Sequence, residues 1–218
     1  MASADGRPVP RGLIRLSIGR NLWMPVLAAL CMVARAQDAP EEKNWRVLIE
    51  PAFMKPPVSF AIPKAERTLL VPGYVNGEGD VVYFTRGQWS ALKIDWADFF
   101  DKARANAAGE LAKLKPELVR DKRKVVEYAV LQSENPLTAG VVFAPGFLKQ
   151  FEDVFGAKLV VVIPNRYTVF VFPKLAGTWQ QYGPMVRDAY LAAPHRVSIE
   201  VFELGADGIR AAGIYSEP

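Results

Sequence analysis

The most chemically suggestive stretch of the sequence is a short polar segment, Pro164-Asn165-Arg166-Tyr167, between two almost wholly apolar runs. Proline followed by asparagine is typical of a type I turn, so the pattern predicts a four-residue hairpin loop with Pro164 at its first central position. Turn formation does not explain Arg166 and Tyr167, which we expect to be exposed at the sheet edge.

A planar cation beside an aromatic ring suits the recognition of a carboxylate or a phosphate. Asn165, Arg166 and Tyr167 are therefore the candidate ligand-binding residues, and a small anionic ligand is one expected occupant. The alternative is an ordinary loop, because loops often carry such residues without a binding role.

His195 is a further candidate, since it is the only histidine of the chain and could act as an acid or a base near neutral pH. The simpler interpretation places it at the end of a helix, where the helix dipole favours a cation. One histidine cannot form a multi-histidine zinc site, and the only cysteine, Cys31, lies near the N-terminus. The sequence therefore predicts no metal site and no cofactor.

A segment with calcium-loop spacing precedes the first predicted helix. Asn76, Glu78 and Asp80 place side-chain oxygens two residues apart, as calcium loops do. Val81 stands where such a loop needs glycine, and Gly87 stands where it needs a bidentate glutamate. A plain hairpin loop explains the segment better.

The sequence contains no nucleophile elbow, phosphate-binding loop or dinucleotide fingerprint. Carboxylate pairs such as Asp98 with Asp101 and Glu152 with Asp153 lie on predicted helices. A cofactor-independent hydrolase that uses carboxylates, with His195 as a further group, stays open because its geometry cannot be read from one sequence.

The elements around the polar segment follow from hydrophobic periodicity. In the runs Leu159–Ile163 and Val169–Phe172, odd and even positions are both apolar, so both faces of each strand would be apolar. This pattern predicts central strands covered on both faces. Amphipathic patterns predict covering helices at Phe147–Phe155 and at 177–194, the second with a kink or restart at Pro184.

The remaining segments complete an α+β class. A helix capped by Asp95 should end before Pro116, and a hairpin should span 67–85. Strands are expected at 124–133, 138–144 and 196–204, followed by a final edge strand. The sequence thus predicts a mixed, largely antiparallel sheet with about three helices in a single domain, residues 68–218, after an extended proline-rich segment, 37–67.

The first 36 residues have the parts of a secretory signal peptide. An arginine-bearing segment precedes the apolar run Leu22–Val33, and Ala34-Arg35-Ala36 matches a cleavage site. The run is too short for a stable transmembrane span, although an uncleaved anchor is the alternative. Five of the 27 basic residues and one of the 23 acidic residues lie in this leader, so the remainder is balanced at 22 of each, and no nucleic-acid partner is expected.

Three stretches carry a resemblance to a known family: "LKIDWADFFDKARANAAGEL", "FLKQFEDVFGAKLVVVIPNRYTVFVFP" and "RVSIEVFEL". Together they resemble the YtpQ-like family of bacterial proteins, a domain of unknown function, over roughly Thr68 to Glu203. The resemblance implies an α+β domain without an established activity, so it assigns no catalytic residue. Typical family members look cytoplasmic, whereas this chain carries an export signal.

These observations lead to one hypothesis and two alternatives. The hypothesis is an exported, non-enzymatic binding or accessory protein of the cell envelope or periplasm, with an envelope protein or a small anion as its partner. The alternatives are the carboxylate hydrolase, periplasmic or secreted, and an envelope scaffold or oligomerising module.

Overall fold

The computed structural model describes residues 39–216 except for the side chain of Thr178. The predicted signal peptide, residues 1–36, lies outside the described residues, as does Cys31. The described chain forms two antiparallel sheets and four α-helices. The prediction of an α+β fold with mostly antiparallel strands is confirmed, although two sheets replace the single predicted sheet.

The first sheet, sheet A, has four strands. They are β1 (Trp45–Pro51), β2 (Phe60–Ala61), β3 (Thr68–Val75) and β4 (Val81–Tyr83). β3 pairs with the other three strands, so β1 and β2 of the proline-rich segment belong to the same sheet as β3. The predicted hairpin forms between β3 and β4, where Asn76 Oδ1 accepts hydrogen bonds from the backbone N–H groups of Glu78 and Asp80.

The second sheet, sheet B, has six antiparallel strands in the order β10-β9-β7-β8-β6-β5. Their bounds are β5 (Glu117–Arg120), β6 (Val126–Gln132), β7 (Leu159–Asn165), β8 (Thr168–Pro173), β9 (Glu200–Gly205) and β10 (Gly208–Ile214). Every residue of β7 is buried, and so is every residue of β8 except its last. The prediction that these two strands lie centrally and are covered on both faces is confirmed.

The helices are α1 (Arg86–Leu92), α2 (Trp96–Leu111), α3 (Phe147–Phe155) and α4 (Gly183–Ala192). Asp95 caps α2 as predicted, since its side chain accepts the backbone N–H of Asp98. Pro184 lies in the first turn of α4 after a 3-10 turn at Thr178–Tyr182, so the predicted restart is confirmed. α1 was not predicted, although Thr85 and Gln88 form a capping box at its start.

The strand predicted at 138–144 is wrong, because Thr138–Phe143 forms a 3-10 helix. The preceding asparagine starts this turn: the Asn135 carbonyl accepts hydrogen bonds from both the backbone N–H and the hydroxyl of Thr138. Ala139 donates its N–H to the carbonyl of Arg166 rather than to a strand ladder. The β-branched residues of this segment are buried in the 3-10 helix and do not pair with a strand.

The two faces of sheet B are covered differently. The inner face belongs to the main core, which also includes side chains of sheet A, α2 and α3. The outer face forms a smaller core with α4 and Tyr215. These covers lie over the centre of the sheet and leave the outer face of β5, and part of that of β6, open to solvent. Within residues 39–216, no helix has the length and apolar character to cross a bilayer.

Candidate functional site

The polar segment at the end of β7 makes a tighter turn than predicted. β7 continues through Pro164 and Asn165, Asn165 pairs with Thr168, and the turn itself is Arg166-Tyr167. The prediction of a four-residue loop with Pro164 in its first central position is therefore wrong. Pro164 is tolerated because the register shifts between Val162 and Asn165, and its carbonyl accepts the N–H of Val197 at 2.8 Å.

The side chain of Arg166 is only 18% exposed, so the prediction of an exposed arginine is wrong. Its Nη2 lies 2.6 Å from Oε1 of Glu50 in β1 and donates to the hydroxyl of Tyr83 at 2.8 Å. The Glu50 side chain is 3% exposed, and a buried carboxylate without a partner would cost several kcal/mol. We call Glu50, Tyr83 and Arg166 the ion-pair cluster.

Burial dominates the electrostatics of the ion-pair cluster. It raises the pKa of Glu50, while the nearby Arg166 acts in the opposite direction. Burial, followed by the charge of Glu50, raises the pKa of Tyr83 to about 12. Because the guanidinium of Arg166 already faces Glu50, an anionic ligand would have to compete with a fixed carboxylate. An anion site at Arg166 stays a prediction, and this geometry argues against it.

The open part of sheet B forms a groove of about 700 Å³ between β5, β6 and β8 on one side and α4 on the other. We call this feature the groove. Its apolar lining residues are Val119, Val130, Phe170, Met185, Ala189, Ala192 and Ala193, and its polar or aromatic ones are Glu117, Tyr128, Gln132, Ser133, Glu134, Asn165, Tyr167 and Thr168. Its volume lies in the range of small-molecule sites.

The alternation of side chains along a β-strand explains which residues form the floor of the groove. Alternate residues of β6, namely Tyr128, Val130 and Gln132, line it, and so do Thr168 and Phe170 of β8. Side chains two positions apart point to the same face of a sheet, so these residues share the outer face of sheet B. Tyr128 and Val130 are half-buried, whereas Phe170 is almost fully buried.

Two of the three predicted ligand-binding residues lie at the groove. Asn165 is 4% exposed and joins β7 to the helix, since its Nδ2 donates to the Ala189 carbonyl at 3.0 Å. Its Oδ1 accepts the N–H of Tyr167 at 2.9 Å, which holds the turn. Tyr167 lines the groove, whereas its neighbour Arg166 reaches the ion-pair cluster. The three residues therefore do not form one site.

His195 lies beside the groove and does not line it. The residue is exposed, its carbonyl accepts the N–H of Arg166 at 3.1 Å, and its ring centroid is 5.9 Å from that of Tyr167. Within residues 39–216, His195 makes no ion pair with a carboxylate. The carboxylates of Asp98, Asp101, Glu152 and Asp153 are exposed and do not line the groove either.

The groove has an acidic character. Its lining includes Glu117 and Glu134 but no lysine, arginine or histidine. Burial raises the pKa of Tyr128, and the charges of Glu117 and Glu127 raise it further. In the part of the chain that the structure describes, no cluster of three or more His, Cys, Asp or Glu side chains could hold a metal ion.

The comparisons with known proteins assign no family to this fold and groove. No family model matches the chain, and neither a curated protein nor a solved structure matches it. The resemblance to the YtpQ-like family therefore stays a prediction, and the geometry of the chain itself has to carry any functional argument.

The sequence patterns do not predict several of the residues at these sites. Glu50 is a lone acid within the apolar strand β1, and that isolation is a signal for a buried ion pair. The groove residues Glu117 and Tyr128 lie on short strands with mixed composition, which predicts a half-solvated face but no cavity. The sequence pattern indicates Thr168 only as the boundary of the loop, not as a groove residue.

Proposed function

We propose that the protein is an exported, non-enzymatic binding protein of the cell envelope or periplasm, and that it binds a small organic molecule in the groove. One observation carries the binding proposal: the outer face of β5 and β6 is left open beside α4, and aromatic and apolar side chains line the resulting cavity. A concave apolar site with a few polar groups is the usual form of a small-molecule site.

The hydrolase alternative receives less support from the same geometry. A two-carboxylate hydrolase needs an acid and a second carboxylate that converge on one bond. The carboxylate pairs identified on helices are exposed and do not line the groove, and His195 makes no carboxylate pair within residues 39–216. Glu117 and Glu134 do line the groove, but both are exposed, whereas the general acid of such a hydrolase is held in an apolar environment. Binding is therefore the function that the groove supports best.

The binding proposal can be tested with Nile red, an uncharged apolar dye whose fluorescence rises in apolar sites. We expect saturable binding with a dissociation constant in the micromolar range. The variant Ala192→Trp places an indole at the exposed end of α4 within the groove and should weaken binding at least tenfold. Its matched control is Leu191→Trp, the adjacent exposed residue that does not line the groove.

The control variant should bind Nile red as the unmodified protein does. Absence of saturable binding, or equal binding by both tryptophan variants, would contradict a site in the groove. Circular dichroism of the two variants checks that each retains the fold.

The proposed export rests on the arginine-bearing leader, its short apolar run and the Ala34-Arg35-Ala36 pattern. We expect the mature chain to begin at Gln37. The intact mass of the protein from its native host measures this, and a species that retains residues 1–36 would contradict cleavage.

A further inference from the structure

We propose that the ligand of the groove is an organic cation: an apolar or aromatic body that carries an amine or ammonium group. This inference rests on the proposed binding function and adds the chemical class of the ligand. It replaces the small anion expected from the sequence, and it depends on the charges, the hydrogen-bonding groups and the rings that line the groove.

The carboxylates of the groove are the first part of the argument. Glu117 and Glu134 form no ion pair with any residue in 39–216, in contrast to Glu50, Glu110 and Glu203 of the same residues. Glu203, for example, is paired with both Lys174 and Arg210. The groove therefore presents negative charge that the described protein does not neutralise, and a cationic ligand would meet it favourably.

A hydroxyl without a hydrogen-bond partner is the second and independent observation. Thr168 is 6% exposed and lines the groove, yet its hydroxyl makes no hydrogen bond within residues 39–216. The hydroxyl is not among the buried atoms without a partner, so it is open to the groove, and a ligand there can supply its hydrogen bond. The Thr168 oxygen can accept a hydrogen bond from an ammonium or amine N–H.

The aromatic side chains are the third part. Tyr128 and Phe170 pack edge to face on the floor, with ring centroids 6.3 Å apart, and Tyr167 lies at the end of β7. Tyr128 and Tyr167 are half-buried, unlike Phe170, and the faces of exposed aromatic rings attract organic cations by the cation–π interaction. The same apolar surfaces bind the body of the ligand, which an inorganic cation lacks.

The size of the groove favours an organic molecule over a bare ion as its occupant. About 700 Å³ suits a drug-sized molecule, and the residues from 39 to 216 include no cluster of ligands for a metal. The expected ligand is therefore an amphiphilic organic cation whose charged group lies near Thr168 and the carboxylates.

Three aromatic dyes of different charge test the inference: rhodamine 6G is cationic, Nile red is uncharged and 8-anilinonaphthalene-1-sulfonate is anionic. Each is titrated into the purified protein at low and at high ionic strength. We expect rhodamine 6G to bind at least about tenfold more tightly than the anionic dye at low salt, with a smaller ratio at high salt.

Two charge variants sharpen the test. The double variant Glu117→Gln/Glu134→Gln should weaken rhodamine 6G binding about fivefold and should affect Nile red binding much less. Its control is Glu152→Gln on α3, an exposed residue outside the groove, which should change neither. Thr168→Val removes the hydroxyl at nearly constant volume and should weaken rhodamine 6G more than Nile red.

The outcomes separate the two proposals. If the anionic dye binds as tightly as rhodamine 6G, while Ala192→Trp still blocks Nile red, the groove is a binding site and the cation inference is overturned. If Glu117→Gln/Glu134→Gln has no effect on rhodamine 6G, the inference is likewise overturned. If no dye responds to Ala192→Trp, the proposed function and this inference fall together.

Discussion

The ion-pair cluster and the groove meet at the same β7–β8 turn, and they use charge in opposite ways. In the cluster, Glu50 and Arg166 are largely buried and face each other at 2.6 Å. In the groove, Glu117 and Glu134 have no ionic partner within the described residues. Arg166 belongs to the ion-pair cluster, whereas the next residue, Tyr167, lines the groove.

The difference shows why a charged residue in a turn is a poor guide to function. The charge of Arg166 is needed by Glu50, because a buried carboxylate is stable only with a partner. The carboxylates of Glu117 and Glu134 form no ion pair within the described residues, so a cationic ligand can pair with them. The structural ion pair and the candidate site therefore differ in whether their charged side chains have an ionic partner inside the protein, and not in the types of residue that they contain.

The largest effect should follow a charge placed in the covered part of sheet B. Val161 of β7 is fully buried between Val171 and Phe202, so Val161→Asp should cost several kcal/mol, about 4 or more, and threaten folding. The matched variant Val130→Asp lies in the groove and is half-exposed, so it should cost about 1 kcal/mol. Urea titration measures both, and equal costs would contradict an open groove.

The next effect concerns the ion-pair cluster. An exposed Arg166 would change stability by no more than about 0.5 kcal/mol when replaced by alanine. The observed geometry predicts instead that Arg166→Ala costs about 3–5 kcal/mol, since it leaves Glu50 buried without a partner. The same denaturant titration decides between the two values.

Two further variants give this test its controls. Arg166→Met combined with Glu50→Leu removes both charges and should recover most of the lost stability. Arg104→Ala removes a surface arginine that pairs with Asp101, and it should cost no more than about 0.5 kcal/mol. A double variant as unstable as Arg166→Ala would show that the arginine acts through packing and not through its charge.

A smaller effect is expected from Tyr83. Tyr83→Phe removes the hydroxyl that accepts from Arg166 and should cost about 1.5 kcal/mol at neutral pH. The folded-state pKa of about 12 lies above the ordinary value of 10, so the phenol's contribution is fully present below pH 10. That contribution should be lost as the pH rises from 10 through 12, so the stability advantage of the wild type over Tyr83→Phe should disappear over that range.

Phenolate absorbance measures this pKa directly. The difference between the titration curves of the wild type and Tyr83→Phe should show one group with a midpoint near 12. A midpoint near 10 would contradict the burial of Tyr83 beside Glu50.

The smallest effect on stability should come from the groove. Glu117→Gln/Glu134→Gln should change the free energy of unfolding by no more than about 0.5 kcal/mol, because both side chains are exposed and form no ion pair in the described structure. Thermal unfolding monitored by circular dichroism tests this, and a loss above 2 kcal/mol would mean that these carboxylates stabilise the fold.

Local patterns in the sequence predict much of the fold. β7 and β8 follow from apolar runs at both parities, α2 from its Asp95 cap, and α4 from Pro184 in its first turn. The 3-10 helix at Thr138–Phe143 could not be predicted in this way. Its hydrogen bonds to Asn135 and Arg166 override the strand preference of its valines.

The sites are less predictable than the elements, because each depends on contacts between distant segments. Glu50 and Arg166 are 116 positions apart in the sequence, and only the packing of sheet A against the β7–β8 turn brings them together. The groove arises because α4 covers one part of sheet B and not another, which depends on the length and position of α4. Asn165 and Tyr167 were predicted as site residues, whereas their separation from Arg166 was not.

The central claim is that the groove binds a ligand while the ion-pair cluster serves the fold. A two-dimensional amide NMR titration of the isotope-labelled protein with rhodamine 6G tests it most directly. We predict saturable shifts in β5 and β6 and at Tyr167 and Thr168, with none at Glu50 or Tyr83. Shifts centred on Glu50, Tyr83 and Arg166, with the groove unchanged, would contradict this account.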